Sequence, residues 1–204
     1  MILSRRNLIA SCLAKALTVL VLLMGSSCGQ TVRPLSIHDS RLPLDARRWI
    51  ADAEDAVTVT AAWRDEAKEA VDAALQWRST SVRALSWPTT TEATLAQTTL
   101  GELAEARIRL ARLELALAEA ELALAKTRRT QVNAETAVRY DLRYYDLEPF
   151  TEATRQARTN VESASRAVAD QRLLVEEATT QWWRAFQAYV LAGGDPRVLW
   201  LGEQ

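Results

Sequence analysis

The stretch "LGELAEARIRLARLELALAEAELALAK", Leu100 to Lys126, decides the fold. Leu103, Leu110, Leu117 and Leu124 recur every seven residues, with Ala106, Leu113 and Ala120 at the points between them, so one apolar seam runs along the segment. A second face carries Ile108, Leu115 and Leu122 beside Ala104, Ala111, Ala118 and Ala125. Arg107, Glu114 and Glu121 separate the two faces on one side, and Glu105, Arg112, Glu119 and Lys126 separate them on the other. Seven-residue apolar spacing marks a helix. A helix that is apolar on two faces needs a neighbour for each, and the simplest arrangement packs this one between two others.

The flanking sequence provides both neighbours. Between Pro43 and Pro196 the only other prolines are Pro88 and Pro149, and the only glycines are Gly101, Gly193 and Gly194. The breaker-poor stretches 44–87, 89–148 and 150–195 therefore each read as one long helix, over about 45–87, 90–147 and 151–192. Asp45 can cap the first, Thr89 and Glu92 have capping-box spacing for the second, and Thr151 follows Pro149 at the start of the third. "LAGGDP", Leu191 to Pro196, closes the third with glycine and then proline. The predicted fold is all-α: three long antiparallel helices in an elongated, coiled-coil-like bundle over residues 44–195, with turns near Trp87-Pro88 and Glu148–Phe150.

The outer two stretches carry their own seven-residue rows. In the first, Trp49, Trp63 and Trp77 lie fourteen apart, with Ala56, Ala70 and Ala84 at the alternate seven-residue points, and Ala53, Thr60, Ala67, Ala74 and Ser81 supply a second row, so that one seam alternates a bulky indole with small residues. Periodic indoles suit a membrane-surface or sugar-stacking stripe, or a packed seam. The seam is the expectation, because residues 44–87 hold six basic and eight acidic side chains, whereas a helix lying on a membrane is basic on its polar face. In the third stretch Val161, Val168, Val175, Trp182 and Tyr189 form one row, and Ala157, Ala164, Gln171, Ala178, Ala185 and Ala192 form the other. Gln171 is the lone polar member; it either fixes register or faces water.

Composition agrees with long helices. The 204 residues are 49% hydrophobic and 25% charged, with only 6 glycines and 5 prolines. The net charge is -1, and residues 28–204 carry 22 basic against 26 acidic groups, or -4, which makes nucleic acid an unsuitable partner.

"MILSRRNLIASCLAKALTVLVLLMGSSC", Met1 to Cys28, has early positive charge, no acidic residue, a nine-residue apolar run from Ala16 to Met24, and small residues Gly25, Ser26 and Ser27 before Cys28. This is the layout of an export signal, and the run is shorter than the ~20 apolar residues of a membrane-spanning helix. The stretch resembles the signal of bacterial lipoprotein precursors, whose lipobox is matched by Ser26, Ser27 and Cys28 and departed from at Gly25, where leucine is usual. The resemblance implies a signal peptide over 1–27, cleavage before Cys28, diacylglycerol on its thiol, and a further acyl chain such as palmitate on the new amino terminus. Residues 28–43 then form a lipid-anchored tether. The alternative is ordinary secretion, since Gly25-x-Ser27 suits a general signal peptidase. Cysteine usage favours lipidation: with Cys12 removed and Cys28 acylated, no thiol remains. "SRRNLIA", Ser4 to Ala10, also resembles the twin-arginine export motif, with Leu8 and Ala10 in place of its phenylalanine and lysine; alternatively, Arg5 and Arg6 only charge the signal. The lipoprotein resemblance also implies the outer membrane, facing the periplasm, because Gly29 stands where an aspartate would signal retention at the inner membrane in that class.

Arg139, Tyr140, Arg143, Tyr144 and Tyr145 cluster at the second turn, together with Phe150, and form a candidate partner-docking tip. They equally suit a plug for the open end of a helical hairpin. The tail, residues 196–204, carries Val198, Leu199, Trp200 and Leu201 and is too apolar for a free end; it folds back or meets a partner. "KTRR", Lys126 to Arg129, reads as a solvated face. His38 is the single histidine and stands away from any cysteine, so no metal site is expected. No catalytic constellation or cofactor-binding motif stands out, and no enzyme activity or cofactor is expected.

The sequence therefore points to a non-enzymatic envelope lipoprotein, held at the membrane by lipid on Cys28 and acting as a brace, spacer or adaptor for an envelope protein, with its oligomeric state left open. A second reading is an accessory subunit of envelope transport. "ARIRLARLELALAEAELALAKTR", Ala106 to Arg128, and "WWRAFQAYVLAGGD", Trp182 to Asp195, resemble the α-helical hairpins of efflux adaptors and the helices of TolC-like channels, although the chain lacks the β-barrel strands and lipoyl-type domains of those families.

Overall fold

The computed structural model describes residues 32–81 and 90–197. Among these, three helices follow one another: α1 (Leu44–Ser81), α2 (Thr91–Arg139) and α3 (Glu148–Leu191). α2 packs against α1 along one flank and against α3 along another, while no Cα of α1 comes within 8 Å of α3. The all-α arrangement expected from the two-faced central helix is present, in the form of an open layer with α2 in the middle. At 1.5 Å per residue α2 is roughly 70 Å long.

The helix ends differ in detail from the sequence reading. α2 is capped by Thr90, one residue beyond the expected Thr89, and the Thr90 hydroxyl accepts the Ala93 N–H at 3.1 Å, so Glu92 occupies no capping-box position. α2 stops at Arg139, eight residues before the expected 147. Asp141 there adopts φ 50, and the Leu142 N–H reaches back to the Ala137 carbonyl (2.9 Å) while the Asp141 N–H bonds the Val138 carbonyl (3.2 Å). This is the glycine-type helix stop made with aspartate. α3 begins at Glu148, ahead of the expected 151. Pro149 sits in its first turn, where a missing N–H costs nothing, and the Asp146 carboxylate accepts the Glu148 N–H at 3.1 Å. The predicted glycine stop of α3 is present: Gly193 has φ 87, and the Gly194 N–H donates to the Tyr189 carbonyl at 3.0 Å. Asp45 lies within the first turn of α1, where it complements the helix dipole. Residues 82–87, the expected end of the first helix, lie outside the described residues, as does Thr89.

Packing in α2 centres on the row Ala104, Ala111, Ala118 and Ala125, all buried, with leucines shouldering it on both sides. Alanines let helix axes come close, and bulky neighbours fill the space beside them. Two dense clusters cap the layer. At one end Leu100 and Leu103 of α2 pack with Trp182, Phe186 and Tyr189 of α3, and Trp77 of α1 leans on this cluster. Trp182 and Phe186 stack at 5.3 Å. At the other end Leu42, Ala46 and Ile50 pack with Val132, Tyr140 and Leu142. In α3 the predicted alanine and valine rows do line the interface: Ala157, Val168, Gln171, Trp182, Ala185 and Tyr189 are buried.

Of the two rows expected to form the α1 seam, the small one (Ala53, Thr60, Ala67, Ala74 and Ser81) is buried or half-buried, whereas the tryptophan row lies largely outside it, with only Trp77 half-buried. The buried positions of α1 are Ala46, Ile50 and Ala53, while Trp49 is 41% and Trp63 53% exposed, and Ala56 and Ala70 are exposed with them. Three tryptophans at fourteen-residue spacing have the period of a seam, but the small and branched row beside them allows α1 a closer approach to α2.

Residues 33–43, the distal part of the expected tether, are docked rather than free. The Leu35 N–H donates to Asn133 Oδ1 at 2.8 Å, and Leu42 is buried against α1 and α2.

Candidate functional site

Two indoles of the tryptophan row, exposed Trp49 and half-buried Trp77, lie next to arginines of α2. The Arg139 guanidinium lies 5.1 Å from the Trp49 ring centroid, and the Arg107 guanidinium lies 4.8 Å from that of Trp77. Such stacking is worth about 0.5–2 kcal/mol, depending on exposure. Burial pulls Arg107 below the ordinary arginine pKa, and the ring face it lies on compensates part of its lost hydration.

Beside Trp49 a groove of about 510 Å³ lies between α1 and α2. Trp49, Ala53, Ala56, Ala125 and Val132 supply its apolar lining, and Asp52, Arg128, Glu135 and Arg139 supply charge of both signs. An apolar floor rimmed by opposite charges suits a mixed-charge amphipathic segment. Interhelical ion pairs brace the helices along their length: Arg129–Glu54 at 3.1 Å and Arg78–Glu105 at 2.7 Å join α1 to α2, and Arg172–Glu114 at 2.9 Å joins α2 to α3. All are substantially exposed, so each contributes at most about 1 kcal/mol.

The five residues expected at the tip do not share one surface. Tyr145 is buried and meets Phe150 edge-on at 6.2 Å. Tyr140 packs into the cluster around Leu42 and Ile50. Arg139 stacks on Trp49. Arg139, Arg143 and Tyr144 are exposed, Tyr144 at 88%. Two of the tyrosines therefore plug the hairpin end. Asp52 and Val132, which line the groove, were not singled out by sequence; Trp49 was read as part of the α1 seam and Arg128 as part of a solvated face, and the tryptophan period was the signal that could have found the groove.

Cys28 lies outside the described residues, as does the tail from Val198 to Gln204. His38 is exposed, and among the described residues no group of three or more His, Cys, Asp or Glu side chains is placed to hold a metal ion. No described helix is long and apolar enough to cross a membrane. Comparison of the chain with models of known protein families, with curated proteins and with solved structures finds no match.

Proposed function

We propose that the chain is a non-enzymatic lipoprotein of a bacterial envelope, anchored through lipid on Cys28, most simply in the outer membrane, with a helical layer facing the periplasm that braces or recruits another envelope protein. The carrying observation is the pairing of a lipobox-like ending at Ser26, Ser27 and Cys28 with a long helical layer that presents exposed tryptophans. Soluble monomers rarely leave large apolar side chains in rows on their surface, and the groove beside Trp49 offers a partner helix both apolar contact and charge pairing.

Two measurements test this reading. Cys28→Ser abolishes incorporation of labelled fatty acid; labelling that persists places the anchor elsewhere. A photo-reactive residue in place of Trp63 captures a protein in intact cells, whereas the same group in place of exposed Arg112 does not; equal capture at both positions removes the tryptophan row from the account.

The transport-accessory reading draws on the same exposed row, covered in that case by further copies of the chain. A ring-sized species in mass measurements of the detergent-extracted protein favours it over the brace.

A further inference from the structure

We propose that the loop end of the helical layer, where α2 gives way to α3, faces the lipid headgroups, and that the end formed by the start of α2 and the close of α3 projects away from the membrane. The proposal rests on Cys28 as the lipid anchor and names the membrane surface as the neighbour of the expected docking tip.

The number of residues between Cys28 and the docked segment carries it. The Leu35 N–H is bound to Asn133 Oδ1 at 2.8 Å, and Leu42 is buried among Ala46, Ile50, Val132, Tyr140 and Leu142. The leash from Cys28 therefore runs seven residues to Leu35 rather than to Pro43. It spans at most about 25 Å fully extended. Asn133 stands six residues from the end of α2, or about 9 Å along the axis. The start of α2 is about 60 Å beyond Asn133. A leash this short keeps the loop end near the bilayer and leaves the opposite end free to reach outward.

The chemistry of the loop end fits that neighbour. Leu44 is 80% exposed at the first position of α1, Tyr144 is exposed in the connecting loop, and Ile37 is exposed in the docked segment. Arg48 and Arg143 are exposed alongside. Aliphatic and aromatic groups with nearby guanidinium groups suit the headgroup layer, where rings bury one edge and cations meet lipid phosphates. Asp141 and Asp146 share the loop, so the acyl chains supply the affinity and the exposed residues set the orientation.

The test uses the mature lipidated chain in vesicles of phosphatidylethanolamine and phosphatidylglycerol containing a headgroup spin-labelled lipid. A fluorophore is attached at Tyr144→Cys, or at Thr98→Cys near the opposite end. The proposal expects severalfold stronger quenching at position 144 than at 98. Equal quenching at the two positions, in protein that floats with the vesicles, overturns the orientation while leaving the anchor intact. Protein that does not float overturns the Cys28 anchor and the orientation with it. In cells, a photo-reactive group at position 144 is expected to yield a lipid adduct; a protein adduct in its place overturns the membrane-facing assignment.

Discussion

The Nε2 amide of Gln171 in α3 donates to the main-chain carbonyl of Ala106 in α2, across 3.1 Å. Gln171 is buried in a row of alanines, and the helical Ala106 carbonyl has a second lone pair for the amide to use. Gln171→Glu directs a carboxylate at a carbonyl oxygen and is expected to cost about 2–3 kcal/mol at neutral pH. Burial and the facing oxygen both raise the folded-state pKa of the introduced group above its unfolded value, so the penalty is greatest at high pH. It shrinks as pH falls through that raised value and is gone below the unfolded value of about 4.3, where the group is neutral in both states. Urea unfolding of variant and parent across this range measures the gap; a gap that stays constant contradicts the contact.

Trp63 lies outside the α1–α2 seam and Leu103 lies within the core. Trp63→Ala is expected to lower stability by less than about 1 kcal/mol, against about 2–5 kcal/mol for Leu103→Ala. Chemical denaturation of the pair checks this. Equal losses return the tryptophan row to the seam.

The stop of α2 holds a non-glycine residue in the left-handed region, with Asp141 at φ 50. Asp141→Gly relieves that conformation and is expected to raise stability by about 0.5–1 kcal/mol, net of the greater freedom of glycine in the unfolded chain. A rise in Tm reports it; a fall shows that the aspartate side chain contributes more than its backbone costs.

Asp39 and Arg41 form an exposed turn in the docked segment. The Arg41 side-chain hydrogen bond, and then the Arg41 backbone N–H, hold the Asp39 carboxyl well below its ordinary value, at about 2. Because the folded pKa is the lower one, the stabilisation is complete above the unfolded value of 3.8 and disappears as pH falls through about 2. An NMR titration of the Asp39 carboxyl is expected to show a midpoint near that value, and Arg41→Gln to move it up. A midpoint unchanged by Arg41→Gln contradicts the pairing.

The three helices were legible because breakers are rare and placed where helices turn, and because Leu103 to Ala125 carries two apolar faces. Period alone does not fix which of two adjacent rows faces a partner. Trp49, Ala56, Trp63 and Ala70 repeat as regularly as Ala46, Ala53, Thr60 and Ala67, and only the approach of α1 to α2 decides between them. The stop at Asp141 was hidden because aspartate replaces the glycine that usually marks it. The docking of Leu35 on Asn133 pairs residues 98 apart in sequence through a main-chain N–H, which leaves no side-chain pattern at Leu35. At the expected tip, the aromatic cluster was visible, but its division into core tyrosines and one exposed Tyr144 depends on the turn geometry.

The central claim is that α2 is flanked within one chain by both other helices. Thiol cross-linking with a short reagent tests it in chains lacking Cys12 and Cys28, using Arg78→Cys with Glu105→Cys for α1 to α2 and Glu114→Cys with Arg172→Cys for α2 to α3. The account predicts that both pairs link efficiently within single chains; failure of either pair, or links formed only between chains, contradicts it.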